Sequence, residues 1–160
     1  MVRRFFSIAR HSCAARTVEN VMPPYGLTID KFLDHAAKWF GDREIVSAGL
    51  GQDASRIDYA ALHERSNRMS GALGALGMAL GDRIGTLAWN SQHHLETYYA
   101  AMGMGLVCHT LNPRLTPEHL AMMINEAEDR LIAVAADLMP LLGEIAPLCP
   151  GIEHVIVLDA

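Results

Sequence analysis

The stretch Gly81–Leu120, GDRIGTLAWNSQHHLETYYAAMGMGLVCHTLNPRLTPEHL, decides the fold of this 160-residue chain. A Gly-Asp-Arg turn leads into the apolar run Ile84–Trp89. After the polar break Asn90–Gln92, an amphipathic run precedes a second short apolar run, Leu106–His109. Thr116–Glu118 then opens another helix, with proline at its first position. This alternation of strands and helices with short connections predicts a mainly parallel sheet flanked by helices, an α/β fold.

Upstream of this stretch, the sequence predicts a helix, a β-hairpin and a second, longer helix. Thr28 is the expected N-cap of the first helix, and Asp58 is that of the second, which we expect to continue through Gly77. The segment Gly49–Asp53 is typical of a hairpin turn. The predicted strands of the hairpin are Glu44–Ala48 and Ser55–Asp58.

Downstream, two more strands and two helices continue the pattern. Thr116 is the expected N-cap of a helix that ends near Glu128, and Asp137 that of a helix ended by Pro147. The apolar strands lack strict alternation, which favours a parallel sheet buried on both faces. The strands predicted here are Arg130–Ala135 and His154–Leu158. Further elements would normally protect the side of the sheet where the last strand lies.

The charge is unevenly distributed along the chain. The net charge is -5, yet residues 1–18 carry four arginines and no acid, whereas the rest carries nine basic against eighteen acidic residues. An acidic body without a basic stripe and interleaved aromatics argues against nucleic-acid binding. No apolar run approaches the length of a transmembrane segment.

Residues 1–26 are expected to form an irregular or targeting-like tail, ahead of a domain that spans 27–160. The Arg-rich, acid-free start is compatible with a mitochondrial transit peptide. A plain tail, or upstream sequence ahead of a true start at Met22, remains the favoured alternative. Cys13, Cys108 and Cys149 form no CxxC pair, so a reducing, cytoplasmic location is expected. Cys108, inside an apolar run, is expected to be a buried, inert thiol.

Several motifs that resemble functional sites have simpler structural explanations. The glycines of Gly71–Gly77 lie in an amphipathic helix and lack a following Lys-Ser or Lys-Thr, so close helix packing is favoured over phosphate binding. Neither Gly49-Leu50-Gly51 nor Gly103-Met104-Gly105 completes a GxGxxG pattern. For His93, His94 and Glu96, exposed or capping roles are favoured over a metal site, because the spacing does not place ligands on one helical face.

The loop after His109 is the best internal candidate for the edge of a site, because ligands bind at the carboxyl ends of parallel strands. A simple connection held by Asn112 and Pro113 is nevertheless favoured. Asp129 and Arg130 are expected to form a surface ion pair at a helix end. No residue of this chain is therefore assigned a catalytic, cofactor-binding or metal-binding role.

Six short pieces, in this order and spacing, resemble one enzyme family: Gly41–Val46, Ile57–Leu62, Gly81–Arg83, Thr86–Ser91, His109–Leu115 and Asn125–Arg130. From about Leu27 to Leu158 the chain resembles the N-terminal part of the adenylate-forming (AMP-binding) acyl-CoA synthetases. Within them it is most similar to the medium- and long-chain fatty-acid–CoA ligases. The resemblance implies an incomplete N-terminal subdomain of that fold, in which the matched motifs are mostly structural.

The resemblance also implies a two-step reaction for the full-length enzyme. A small-molecule carboxylate and ATP, with magnesium, give an acyl-adenylate and pyrophosphate, and the thiol of CoA then displaces AMP. The phosphate loop with its lysine and the other catalytic motifs of the family have no counterpart here. We therefore expect an N-terminal fragment that is inactive alone. The alternative is a stand-alone, non-catalytic binding or regulatory module, and a homo-oligomer is left open.

Overall fold

The computed structural model describes residues 28–48 and 54–159. The helices are α1 (Asp30–Phe40), α2 (Tyr59–Ala75), α3 (Gln92–Gly103), α4 (Pro117–Ala127) and α5 (Met139–Ile145). The strands are β1 (Glu44–Ser47), β2 (Ser55–Asp58), β3 (Arg83–Leu87), β4 (Val107–Thr110), β5 (Leu131–Val134) and β6 (His154–Val157). No helix in these two ranges is both long and apolar enough to cross a membrane.

Four strands form the parallel sheet that the sequence predicts, in the order β4-β3-β5-β6. Strands β3 and β5 are central, and Ile84 lies opposite both Cys108 of β4 and Leu131 of β5. Strands β1 and β2 pair antiparallel, as expected for the hairpin. The predicted hairpin turn and the tail at residues 1–26 lie outside the described residues.

The sheet is buried on both faces, as its apolar strands predict. Leu131 and Ala133 of β5 pack with Leu73 of α2 and with residues of α3 in one core cluster. The intervening residues Ile132 and Val134 belong to a second cluster on the opposite face, together with residues of α4 and α5. Since successive side chains of a strand point to opposite faces, one strand contributes to both cores.

Two of the four predicted N-caps are confirmed and two are wrong. The side chains of Asp58 and Thr116 accept hydrogen bonds from the backbone N–H groups of Ala61 and His119. Thr28 is not a cap, because α1 begins at Asp30 and the residue before it already has helical dihedral angles.

Asp137 is also not an N-cap. It lies inside a short 3-10 turn, Ala136–Leu138, and α5 begins at Met139 without a side-chain cap. Its carboxylate instead accepts a hydrogen bond of 2.8 Å from the indole N–H of Trp89, 48 positions away in the sequence. A tertiary hydrogen bond thus replaces the local one that the sequence suggests.

The glycines near the end of α2 do not serve close helix packing, contrary to the prediction. A Cβ atom at Gly71 would meet nothing within 4 Å, and one at Gly74 would meet only the Met104 methyl group, at 3.8 Å. Helix α2 ends at Ala75, and Gly77 adopts a φ of +77° in the turn that follows. Its role is to terminate the helix, where a left-handed backbone favours glycine.

Candidate functional site

The carboxyl edge of the sheet, where α/β proteins bind ligands, is held together by hydrogen bonds between its own loops. The loop after β4 bonds to β3 through the N–H of Leu111 and the carbonyl of Thr86, at 2.9 Å. At the end of β6, the Asp159 carboxylate accepts a bond of 2.6 Å from the N–H of Ala136. With the Trp89–Asp137 bond, these contacts make the edge a fixed frame.

The loop that follows β4 is a tight connection, as the favoured interpretation of its sequence holds. The side-chain oxygen of Asn112 accepts a hydrogen bond of 3.1 Å from the N–H of Arg114. The carbonyl of Asn112 accepts another from the N–H of Leu115. Turn chemistry of asparagine thus accounts for the loop.

His109 does not face this loop but forms a pair with a buried carboxylate. Its Nδ1 lies 2.7 Å from Oδ2 of Asp129, whose side chain has no exposed surface. Burial raises the pKa of Asp129, against the opposing effect of His109. The other carboxylate oxygen, Oδ1, is buried without a hydrogen-bond partner. The predicted surface ion pair of Asp129 with Arg130 is therefore wrong.

Arg130 forms ion pairs elsewhere, with Asp82 and Glu153. Its Nη2 lies 2.7 Å from Oε2 of Glu153. These pairs join the turn before β3 to the start of β6. The side chains of the adjacent residues Asp129 and Arg130 therefore lie in different surroundings, the first buried and the second partly exposed. The expectation failed because Asp129 and Arg130 lie at the start of β5, where the side chains of successive residues point to opposite sides.

Two of the three residues expected to be exposed or capping, His94 and Glu96, are buried instead, and His93 is half-buried. His94 and Glu96 are each only 7% exposed. Oε1 of Glu96 accepts a hydrogen bond of 2.6 Å from Nε of Arg65, and this bond raises the pKa of the guanidinium. His93 Nδ1 lies 3.7 Å from the other oxygen of Glu96. This cluster lines a groove of about 310 Å³ between α2, α3 and β6.

His94 anchors the first turn of α3 to the sheet. Its Nε2 lies 2.9 Å from Oγ1 of Thr86 in β3, and its Nδ1 lies 3.2 Å from the carbonyl of Trp89. Burial lowers the pKa of His94, which favours the neutral ring. A neutral imidazole, donating from one nitrogen and accepting at the other, fits both partners.

The described residues offer no activated nucleophile and no metal centre. Cys108 is half-buried, not fully buried as expected, but burial still raises the pKa of its thiol to about 11, so the thiol stays protonated as expected for an inert cysteine. Within residues 28–48 and 54–159, no three His, Cys, Asp or Glu side chains converge on a common point. The polar pairs described above therefore hold elements of the fold together.

One signal in the sequence pointed to the buried His109–Asp129 pair. Gly85 interrupts an apolar strand, and glycine inside a strand marks a close approach by another group. A Cβ atom at Gly85 would lie 3.0 Å from Oδ2 of Asp129. For Glu96 and its partner Arg65 we find no comparable signal, since a carboxylate on an amphipathic helix is ordinarily exposed.

Comparison with known proteins identifies the family. The family model described as "AMP-binding enzyme" matches residues 33–160. A 3-methylmercaptopropionyl-CoA ligase of Ruegeria lacuscaerulensis is 43% identical over 132 residues, which cover 82% of this chain and 24% of the relative. A long-chain-fatty-acid–CoA ligase of Thermus thermophilus is 41% identical over 133 residues, or 83% of this chain and 25% of the relative.

Solved structures share the fold. The anthranilate CoA ligase AuaEII, solved with anthranoyl-AMP, superposes with a TM-score of 0.76 at 18% identity, over 85% of this chain and 25% of that one. The N-terminal domain of FACL13 from Mycobacterium tuberculosis gives 0.72 at 26% identity, over 81% and 33%.

The chain spans about a quarter of the length of the curated relatives it matches. Those relatives include a medium-chain-fatty-acid–CoA ligase of Ectopseudomonas oleovorans, which is 36% identical over 132 residues. The match of the family model covers most of the chain, including the whole four-stranded sheet. The chain therefore belongs to the AMP-binding enzyme family, the adenylate-forming acyl-CoA synthetases, and corresponds to an N-terminal portion of such an enzyme.

Proposed function

We propose that this chain forms part of the N-terminal scaffold of an ATP-dependent fatty acyl-CoA ligase. The ligase would join a carboxylate to AMP, with release of pyrophosphate, and then pass the acyl group to the thiol of CoA. The observation that carries the proposal is the family match over residues 33–160. The names of two relatives support a medium- or long-chain fatty acid as the substrate class, whereas two others are named as 3-methylmercaptopropionyl-CoA ligases.

The role proposed for this chain's own residues is to hold the carboxyl edge of the sheet in place. Trp89 and Asp137 join the loops after β3 and β5, and Asp159 joins the end of β6 to the same region. Buried His94 fixes α3 against β3 behind this edge. A nucleotide or acyl group that binds at the carboxyl edge of a sheet needs loops that are already held in place, and these hydrogen bonds would hold them.

The donor groups at this edge do not fit a magnesium-bound nucleotide. The carboxylates there, Asp137 and Asp159, each already accept a hydrogen bond within the protein. Magnesium bound with a nucleotide is held by one or two carboxylates together with water and phosphate oxygens, and both carboxylates here are engaged in hydrogen bonds that fix the loops. We therefore assign no ligand of ATP, magnesium or CoA to this chain, and we expect it to be inactive alone.

Carboxylate-dependent exchange of pyrophosphate into ATP tests this proposal. The purified 160-residue chain would be assayed with saturated fatty acids of increasing length, with the Thermus long-chain ligase as positive control. We expect no exchange above the enzyme-free blank, because the first reaction step needs groups that the described residues do not provide. Exchange that depends on both the chain and a fatty acid would contradict the proposal.

A second candidate is a stand-alone binding or regulatory module. The presence of hydrophobic clusters on both faces of the sheet favours it, because such a body can fold by itself. A module should unfold in one cooperative transition that circular dichroism and tryptophan fluorescence report at the same temperature. Non-coincident transitions, or a purified chain that aggregates, would exclude it.

The proposed location is the cytoplasm, where the free thiols of Cys108 and Cys149 would stay reduced. The Arg-rich first residues keep a mitochondrial location as the alternative. A fluorescent reporter fused behind residues 1–26 and imaged in yeast would distinguish them. A diffuse signal supports the cytoplasm, and a mitochondrial signal supports the transit peptide.

A further inference from the structure

A pocket of about 430 Å³ lies between helices α1, α2 and α3, and we call it the interhelical pocket. Among the described residues, only these helices and Met104, which follows α3, contribute to its lining. Nε2 of His63 in α2 lies 2.9 Å from Oδ1 of Asp34 in α1. The hydroxyl of Ser70 in α2 donates a hydrogen bond of 3.3 Å to the carbonyl of Ala100 in α3. Polar contacts thus join the three helices around the pocket.

Ser66 of α2 lines this pocket and has a hydroxyl group without a partner. The residue is only 3% exposed, and its Oγ makes no hydrogen bond to any described residue. A serine inside a helix commonly bonds to the carbonyl four residues earlier, as Ser70 does to the carbonyl of Ser66 at 3.1 Å. A buried hydroxyl without such a bond has a desolvation cost that a polar ligand group would remove.

The charged side chains of the pocket are acidic. Asp30 and Asp34 both line it, and residues four apart share one face of a helix. A hydrogen bond from the Thr28 side chain lowers the pKa of Asp30, which keeps this carboxylate ionised. His63 contacts only one oxygen of Asp34, so the other can accept from a ligand. Since no lysine or arginine of the described residues lines the pocket, it favours a cation.

The shape and chemistry of the pocket favour an organic cation over a metal ion. In residues 28–48 and 54–159, no three His, Cys, Asp or Glu side chains converge as metal ligands would. The volume also far exceeds the roughly 30 Å³ that one water molecule occupies. Buried Leu33 and the side chain of Met104 add apolar surface to the carboxylates. A ligand with both ammonium groups and hydrocarbon matches this combination.

We propose that the interhelical pocket binds an aliphatic diamine, with its two ammonium groups at Asp30 and Asp34. The Cβ atoms of residues four apart on a helix lie about 5–6 Å from each other, which suits two ammonium groups joined by a short hydrocarbon chain. That chain would pack against Leu33 and Met104. An ammonium group has three donors, so one of them can bond to Oγ of Ser66 as well as to a carboxylate. The site does not depend on the ligase reaction.

Titration of the full 160-residue chain with putrescine (1,4-diaminobutane), followed by two-dimensional ¹H–¹⁵N NMR, tests the proposal. We expect saturable shifts of the amide signals of Ser66, Tyr99 and Gly103, which line the pocket. The double variant Asp30→Asn/Asp34→Asn should raise the Kd for putrescine at least about tenfold, because it removes two charge-assisted hydrogen bonds.

A matched double variant separates this site from general attraction to an acidic protein. Asp42→Asn/Glu126→Gln removes the same charge at exposed positions outside the pocket, so the Kd should stay within about twofold. Ser66→Ala removes no hydrogen bond between described residues, yet it should raise the Kd about tenfold. Because Ser66→Ala leaves the contact between Asp34 and His63 in place, it tests the site even if the first double variant does not fold. The Ile132 amide, in the central strand β5, reports folding.

Two further ligands test the chemical class. Neither 1,4-butanediol, which is uncharged, nor magnesium chloride at matched ionic strength should produce the shifts that putrescine produces. The same shifts with either of them would overturn the proposal, because the site would then not recognise ammonium groups. Absence of saturation with putrescine, equal weakening in the two double variants, or an unchanged Kd for Ser66→Ala would overturn it as well.

Discussion

At the scale of single residues, Gly85 is the clearest constraint. A Cβ atom there would lie 2.6 Å from the Cδ1 methyl group of fully buried Ile132 and 3.0 Å from Oδ2 of Asp129. We predict that Gly85→Ala lowers the free energy of unfolding by about 1–3 kcal/mol, because the added methyl group overpacks the core. Urea denaturation measures this change.

The matched control is Gly71→Ala, in the interior of α2. A Cβ atom there meets nothing within 4 Å, so the higher helix propensity of alanine should add about 0.5–1 kcal/mol of stability. Equal effects of the two substitutions would show that the space around Gly85 is not as tight as described.

The Asp129 carboxyl makes stability depend on pH. Burial holds its pKa above the ordinary value of 3.8, so the folded state binds this proton more tightly than the unfolded state. The protonated Asp129 carboxyl makes its full contribution to the free energy of unfolding below pH 3.8, and this contribution is lost as the pH rises through the raised pKa. The asparagine of the Asp129→Asn variant cannot ionise, so the variant does not lose this contribution. We therefore predict that the unfolding free energy of the variant, minus that of the native chain, increases as the pH rises from 3.8 through the raised pKa of Asp129.

Urea denaturation at a series of pH values checks the Asp129 prediction. Asp34→Asn is the control, because Asp34 has an exposed side chain although it also pairs with a histidine. A difference between Asp129→Asn and the native chain that stays constant with pH would refute the assigned role of burial.

Single-residue environments were also where the sequence was least informative. Asp129 and Glu96 are buried by partners 20 and 31 positions away, His109 and Arg65. Sequence periodicity describes neighbours within a helix or strand, and it assigns an isolated carboxylate to the surface. Burial of a charged group depends on a tertiary partner, which one sequence does not reveal.

At the scale of secondary-structure elements, the N-cap of α2 offers a direct comparison. The Asp58 carboxylate accepts a bond of 2.7 Å from the N–H of Ala61, whereas Thr28 caps nothing in α1. We predict that Asp58→Ala lowers the unfolding free energy by about 1 kcal/mol. Thr28→Ala should change it by less than about 0.5 kcal/mol. Thermal unfolding of both variants checks this, and a larger loss for Thr28→Ala would contradict the described start of α1.

Helix α3 should loosen from the sheet in acid. Burial lowers the pKa of His94 below 6.5, so its stabilising contribution is present above pH 6.5 and is lost as the pH falls through the lowered pKa. We predict that the native chain loses stability over this interval and that His94→Gln loses less. His119→Gln, at an exposed position of α4, should behave as the native chain does.

Fluorescence-detected unfolding between pH 7 and pH 5 measures the His94 effect. Identical pH profiles for the native chain and His94→Gln would contradict the proposed anchoring of α3 to β3.

The elements themselves were largely predictable from sequence. The apolar runs gave β3, β4, β5 and β6 to within a few residues, because a buried parallel strand needs continuous apolar character. The caps Asp58 and Thr116 followed from local hydrogen bonding. Asp137 failed as a cap since Trp89, far away in sequence, binds its carboxylate.

At the scale of the whole molecule, sequence patterning predicted the sheet but not its strand order. Strand β3 lies between β4 and β5, so β5 pairs with β3 and not with β4, which precedes it in the chain. The candidate loop at His109–Arg114 was placed correctly at a strand end, but its side chains bond locally or turn inward. The described part of the chain is thus a framework, and its family match provides the functional conclusion.

The central claim is that this chain is a scaffold interchangeable with that of a fatty acyl-CoA ligase. The most direct test replaces the matched quarter of the Thermus long-chain-fatty-acid–CoA ligase with residues 28–159 of this chain. Formation of acyl-CoA by the chimera is then measured, alongside a chimera that carries Gly85→Leu and should not fold. We predict activity within about tenfold of the parent enzyme, a change of about 1.4 kcal/mol in the activation free energy, because the exchanged part is proposed to provide no reacting group. A chimera that unfolds cooperatively like the parent yet forms no acyl-CoA would contradict the account.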